Sequence, residues 1–203
     1  MARALELLLR LGARRARDLD MQPAIAAPAA RAPAEPIGWH LSGALGIAGA
    51  FGALEATTLA AFARAVPANA TLRPAPGRAL LVLGLDAATG AMLRDQAARL
   101  GLVIDATDPR RRIAACPGRP ACASALVTTR DLAEALARAP GLPAGTIHVS
   151  GCAKGCAHPA HAAITLVGCE AGLGLVRHGT ARDPAQEILA PGDVVERLTR
   201  SAT

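Results

Sequence analysis

The stretch RIAACPGRPACASAL, residues 112–126, carries Cys116 and Cys122 six positions apart. HVSGCAKGCAHP, residues 148–159, carries Cys152 and Cys156 four positions apart. Four of the five cysteines therefore fall into two tight pairs. Thiols so grouped can ligate metal, exchange disulfides, or pack as small apolar side chains.

The spacings weigh these uses differently. Structural zinc accepts four thiolates, but its clamps are typically C-x2-C or close to it, and an x5 spacing is wide. Thiol–disulfide exchange favours C-x-x-C, which neither pair is. A 4Fe–4S cube is larger than one ion and needs thiolates at separate corners, which wider clamps suit. The surroundings agree with an anionic sulfur centre. Arg119 and Lys154 lie inside the clamps, Arg110, Arg111 and Arg112 precede the first, and Gly118, Gly151 and Gly155 let backbone amides approach sulfur closely. A helix expected over 123–138 would put Cys122 at its positive N-terminal end. Four reduced cysteines buried as core fit Gly-rich, cationic loops poorly.

The remaining candidates are weaker. Cys169 stands alone and reads as a strand residue. His158 and His161 follow Cys156 and could bind iron or substrate, or cap the turn at Pro159. His40, His148 and His178 have no companion residues in the sequence and receive no role.

The elements that hold these residues must be built from an unusual composition. Of 203 residues, 52% are hydrophobic but only 1% aromatic, so Ala, Leu and Val fill the core around Trp39, Phe51 and Phe62. Small side chains bury little apolar area each, and a bound metal centre would add folding energy. The net charge of +6, carried mainly by Arg, suits an anionic carboxylate or phosphate partner. Nucleic acid is disfavoured, because three aromatics offer no stacking platform for single strands. No secretory signal and no run of 18 apolar residues appear, so neither export nor a membrane span is expected and the cysteines are assigned to a reducing cytoplasm.

Along the chain, leucines near helical spacing predict an amphipathic helix over 1–20, followed by a Pro/Ala linker over 21–36. A first unit over 37–104 reads β-α-β-β-α-β. It has a strand and turn over 37–52, a helix over 54–66, two strands around a Pro/Gly turn over 70–85, and an Asp86-capped helix over 87–100. A second unit over 105–200 has a strand near 111–115, the helix over 123–138, a strand over 146–150, a hairpin over 162–179 and a final helix over 191–200. The class is α+β.

At SGCAKGCAHP the pattern Ser/Thr-Gly-Cys-x3-Cys, preceded by Cys-x5-Cys, resembles the sirohaem- and 4Fe–4S-containing nitrite and sulfite reductases. ACPGRPACASAL, HVSGCAKGCAHP and AITLVG are most similar to the precorrin-3B synthase branch, and Ala163 stands where the reductases carry an acidic residue. The resemblance spans about residues 37–200. It implies a ferredoxin-like half-domain over 37–104 and an α/β cluster-binding domain over 105–200. Cys116, Cys122, Cys152 and Cys156 would ligate a 4Fe–4S cluster, with sirohaem or a mononuclear iron as a further centre.

The activity implied is oxygen-dependent hydroxylation of precorrin-3A with lactone formation in cobalamin synthesis, the cluster relaying electrons from a reduced nicotinamide or its partner, an electron-donor protein. Arg73 and Arg78 would clamp carboxylates of the anionic tetrapyrrole. Family members are built from two similar halves, and this chain resembles the second. The resemblance leaves three arrangements open: a separate first-half subunit, self-association, or a truncated relic. A sirohaem-dependent reductase fragment, a non-catalytic iron–sulfur electron-transfer module and a zinc-stabilised interaction domain are the alternatives.

Overall fold

In a strand of small apolar residues, alternation and turn chemistry decide where the chain reverses. Gly43 takes a left-handed φ of +77°, and its N–H reaches the His40 carbonyl at 3.0 Å, so the segment after residue 37 is a hairpin. A computed structural model describes residues 35–200, with Arg10 and Gly12. The expected helix over 1–20 and almost all of the linker over 21–36 lie outside the described residues.

The hairpin strands β1 (Gly38–His40) and β2 (Ala44–Ala48) lead to helix α1 (Ala56–Ala65). Strands β3 (Thr71–Ala75) and β4 (Ala79–Leu83) and helix α2 (Ala87–Arg99) follow. The antiparallel sheet runs β1-β2-β4-β3. Leu45, Ile47, Phe62, Val82, Leu93 and Ala97 form the core between sheet and helices. Asp86 caps α2 as expected, accepting the Thr89 N–H at 2.8 Å. The order is thus β-β-α-β-β-α. The expected closing strand is only a bridge, in which Val103 and Ala48 exchange backbone hydrogen bonds before Asp105 turns the chain.

A second sheet follows a 3-10 turn over Pro109–Arg112. Its strands are β5 (Ile113–Ala115), β6 (Ile147–Ser150), β7 (Ala162–Cys169), β8 (Gly172–Gly179) and β9 (Glu187–Leu189), in that spatial order. β5, β6 and β7 are parallel, and β8 and β9 are antiparallel to their neighbours. Helices α3 (Arg130–Arg138) and α4 (Val194–Arg200) cover one face through Ala133, Leu136, Val194 and Leu198.

Two expectations fail here. β9 lies beyond the expected elements, because a three-residue strand gives almost no periodic signal. The helix expected from 123 begins only at Arg130. Val127, Thr128 and Thr129 are β-branched and stiff at χ1. The Leu126 N–H and Val127 carbonyl are already bonded to Gly151 and Arg119. Cys122 therefore lies in a turn, not at a helix N-terminus.

Candidate functional site: two cysteine loops joined at the ends of parallel strands

β5 and β6 are neighbours, with Ala115 opposite Val149, and each delivers a cysteine loop from its C-terminal end. Cys116 follows β5 directly, and its N–H donates to the Val149 carbonyl at 3.3 Å. Gly151 and Cys152 follow β6. Crevices at the carboxyl ends of parallel strands are where open α/β sheets place ligands.

The first loop is tied internally. The Cys122 N–H donates to the Gly118 carbonyl at 2.8 Å, and Ala125 N–H to the Cys122 carbonyl at 3.1 Å. Arg119 Nε donates to the Ala125 carbonyl at 2.8 Å. The buried Thr129 hydroxyl donates to the Cys116 carbonyl at 2.6 Å. Gly118 has φ +66°, and an added Cβ would sit 2.4 Å from Thr129 Oγ1, so both conformation and space demand glycine.

Three contacts join the loops. Gly151 N–H donates to Cys116 Sγ at 3.1 Å, Leu126 N–H donates to the Gly151 carbonyl at 2.8 Å, and Lys154 Nζ donates to Ser124 Oγ at 2.8 Å. Within the second loop, Ser150 Oγ donates to the Cys152 carbonyl at 2.7 Å. Behind the join, a Cβ on Gly168 would come within 2.5 Å of the Gly151 carbonyl.

Cys116 is buried, Cys122 and Cys152 are half-buried, Cys156 is exposed, and all are free of disulfides. Among the described residues, no three His, Cys, Asp or Glu side chains converge as a single metal ion would require. The four thiols thus share one joined pair of loops without being gathered round one point. The donor set, four thiols with an N–H···S bond and Lys154 and Arg119 alongside, fits a thiolate-bound iron–sulfur group. Cys169 ends β7 at the turn into β8, its Sγ 3.5 Å from the Gly172 carbonyl.

The other predicted residues divide. Arg73 is exposed on edge strand β3. Arg78 also lies at the surface, but it reaches across to the second cysteine loop, donating from Nη2 to the Ala157 carbonyl. It lines a cavity of about 360 Å³ with Phe51, Gly52, Arg112 and His158.

His148, given no role from sequence, has companions after all. It is fully buried on β6, its ring lies edge-on to His158 with centroids 5.8 Å apart, and neither ring nitrogen has a hydrogen-bond partner. Burial, then the charges of His158 and Arg78, lower its pKa to about 4. Strand alternation was the signal that could have found it, since Ile147 and Val149 face the helices and His148 must face away. His158 Nε2 lies 3.3 Å from the His161 carbonyl, and His161 Nδ1 lies 3.1 Å from that of His178. No described helix is long and apolar enough to cross a membrane.

This architecture has a counterpart of known structure. The NirA protein of Mycobacterium tuberculosis superposes with a TM-score of 0.65 at 22% identity, covering 88% of this chain and 38% of that one. The fold is thus of the nitrite/sulfite reductase type. Within that class, the chain is 45% identical over 164 residues to a precorrin-3B synthase of a Sinorhizobium species. The alignment covers 76% of this chain and 36% of that protein, so the chain matches little more than a third of its relative's length. No family model matches.

Proposed function

We propose that the chain is the cluster-bearing part of a precorrin-3B synthase-like oxidoreductase, with Cys116, Cys122, Cys152 and Cys156 ligating a 4Fe–4S cluster. The observation that carries the reading is the join between the two cysteine loops, where the Gly151 N–H donates to Cys116 Sγ at 3.1 Å. A cluster held there supplies one-electron transfer.

The chain's own residues set the conditions for it. Amide donation to sulfur lowers the electron density of a thiolate ligand and favours a reduced state. The exposed Cys156 leaves one ligand where an electron-donor protein can approach. Arg73 and Arg78 are offered as carboxylate clamps for an anionic tetrapyrrole, and the reaction as oxygen-dependent hydroxylation of precorrin-3A. A first-half subunit or a second copy would complete the site, and the reducing cytoplasm would keep the thiols available.

The test is oxygen incorporation into precorrin-3A by the reconstituted chain with an electron donor, with and without a separately expressed first half of a full-length relative. The reading expects a product heavier by one oxygen atom when both halves are present. Absence of tetrapyrrole binding in either arrangement would refute it. A sirohaem absorption band in the purified chain would replace it with the nitrite/sulfite reductase reading.

A further inference from the structure

The cavity beside the second cysteine loop has an uneven charge distribution. Four guanidinium-bearing residues line it: Arg78, Arg110, Arg111 and Arg112. Two of them are neutralised. Arg110 pairs with Asp108 at 2.5 Å, and Arg111 with Glu35 at 2.9 Å. Burial alone would raise the Asp108 carboxyl, but the Arg110 hydrogen bonds and charge outweigh it and hold the group below its ordinary range.

Arg112 and Arg78 have no carboxylate partner among the described residues. Each donates to a single backbone carbonyl, Pro143 and Ala157 respectively, out of the five N–H donors a guanidinium carries. Two planar forks with unspent donors therefore border one open cavity.

The walls show that the arrangement is specified. Among the described residues three non-glycine positions have left-handed φ, and two of them, Phe51 at 57° and Arg78 at 62°, line this cavity. Such conformations persist where surrounding structure over-determines them, and they cluster at functional sites. Gly52 contributes by what it lacks, since an added Cβ would fall 2.5 Å from Arg78 Nη1. His158 completes the wall, with the fully buried, hydrogen-bond-free His148 edge-on to it.

We infer that this cavity is a carboxylate-binding subsite in which Arg78 and Arg112 are the anchoring cations. Its volume of about 360 Å³ lies at the low end of the roughly 300–1,000 Å³ of small-molecule sites. It therefore admits a carboxylate-bearing arm and leaves the body of a larger ligand outside. The inference rests on the tetrapyrrole reading only for what that body is. Arg112, which no sequence signal separates from Arg110 and Arg111, is the new specificity residue.

The experiment is calorimetric titration of the full chain with uroporphyrin I, a tetrapyrrole polycarboxylate, and separately with succinate. Wild type is compared with Arg112→Gln, Arg78→Gln, Arg112→Lys and the surface control Arg99→Gln, which does not line the cavity. Loss of a charged hydrogen-bond donor predicts a roughly ten- to hundredfold weaker uroporphyrin affinity in the two cavity Gln variants. Arg112→Lys should fall between, because it keeps the charge and loses the fork. Arg99→Gln should change affinity less than about twofold, as a surface charge does.

Equal uroporphyrin affinity in wild type and both cavity variants overturns the subsite and leaves the tetrapyrrole reading standing. Succinate binding that depends on Arg78 and Arg112 without uroporphyrin binding does the reverse. Binding of neither ligand overturns the subsite. Should the variants fail to fold, the wild type still decides, because bound ligand must shift the Arg78 and Arg112 Nε–H resonances.

Discussion

Replacing Gly151 by alanine tests whether the two cysteine loops act as one centre. The added Cβ would lie 2.7 Å from Ala125 Cβ and 3.5 Å from Cys116 Sγ. Ordinary contact begins at 3.4 Å, so the methyl pair falls 0.7 Å short and one loop must move away from the other. That movement lengthens both the Gly151 N–H···Sγ bond and the Leu126 N–H bond to the Gly151 carbonyl. Overpacking of this kind costs about 1–3 kcal/mol. Weakening two hydrogen bonds adds about 1 kcal/mol. At a urea m-value of about 2–3 kcal/mol/M, the midpoint should fall by about 1 M. Iron retained after anaerobic desalting should fall to less than half of the wild-type content, since Cys116 loses its amide donor and its place beside the second loop. Unchanged iron and an unchanged midpoint in Gly151→Ala would refute the reasoning that this contact organises the site.

The other predictions concern single side chains. Cys122→Ser and Cys152→Ser should each lose most bound iron, whereas Cys169→Ser should keep it, as measured by iron content per chain; equal loss in all three would put Cys169 in the ligand set. Thr129→Val should cost about 1–3 kcal/mol in urea unfolding by leaving the Cys116 carbonyl without its donor, and Thr129→Ser should recover most of that. His148 gives an acid signature. Its pKa is held at about 4, against an ordinary value of 6.5, by burial and by the facing His158 and Arg78. The unfolded chain therefore takes up a proton that the folded chain refuses. Stability from this group is complete above about pH 6.5 and is lost as the pH falls towards 4, by about 3 kcal/mol at most. The stability of wild type relative to His148→Leu should accordingly fall over that interval as the pH is lowered, and parallel curves would contradict the assignment.

Much of this site was legible because its signals are local. The cysteine spacings, the Asp86 cap and the hairpin through β7 and β8 depend on neighbours a few residues apart, and each is present. A helix is expected from 123 because apolar and small residues there do fit a helical pattern. What overrides them is tertiary: Leu126 N–H is bonded to Gly151, twenty-five positions away. The same limit hid the cavity. Three consecutive arginines look alike in sequence, and only the positions of Asp108 and Glu35 separate Arg112 from Arg110 and Arg111. His148 looked isolated because its companion His158 comes from the loop beyond Cys156, folded back against β6.

The most direct measurement of the central claim is iron and acid-labile sulfide per chain on anaerobically reconstituted protein, with its visible spectrum. A 4Fe–4S centre in these loops gives about four of each per chain and a broad charge-transfer shoulder, lost together when Cys116 or Cys156 is replaced by serine. Zinc in place of iron, or no metal retained by the folded chain, would contradict it.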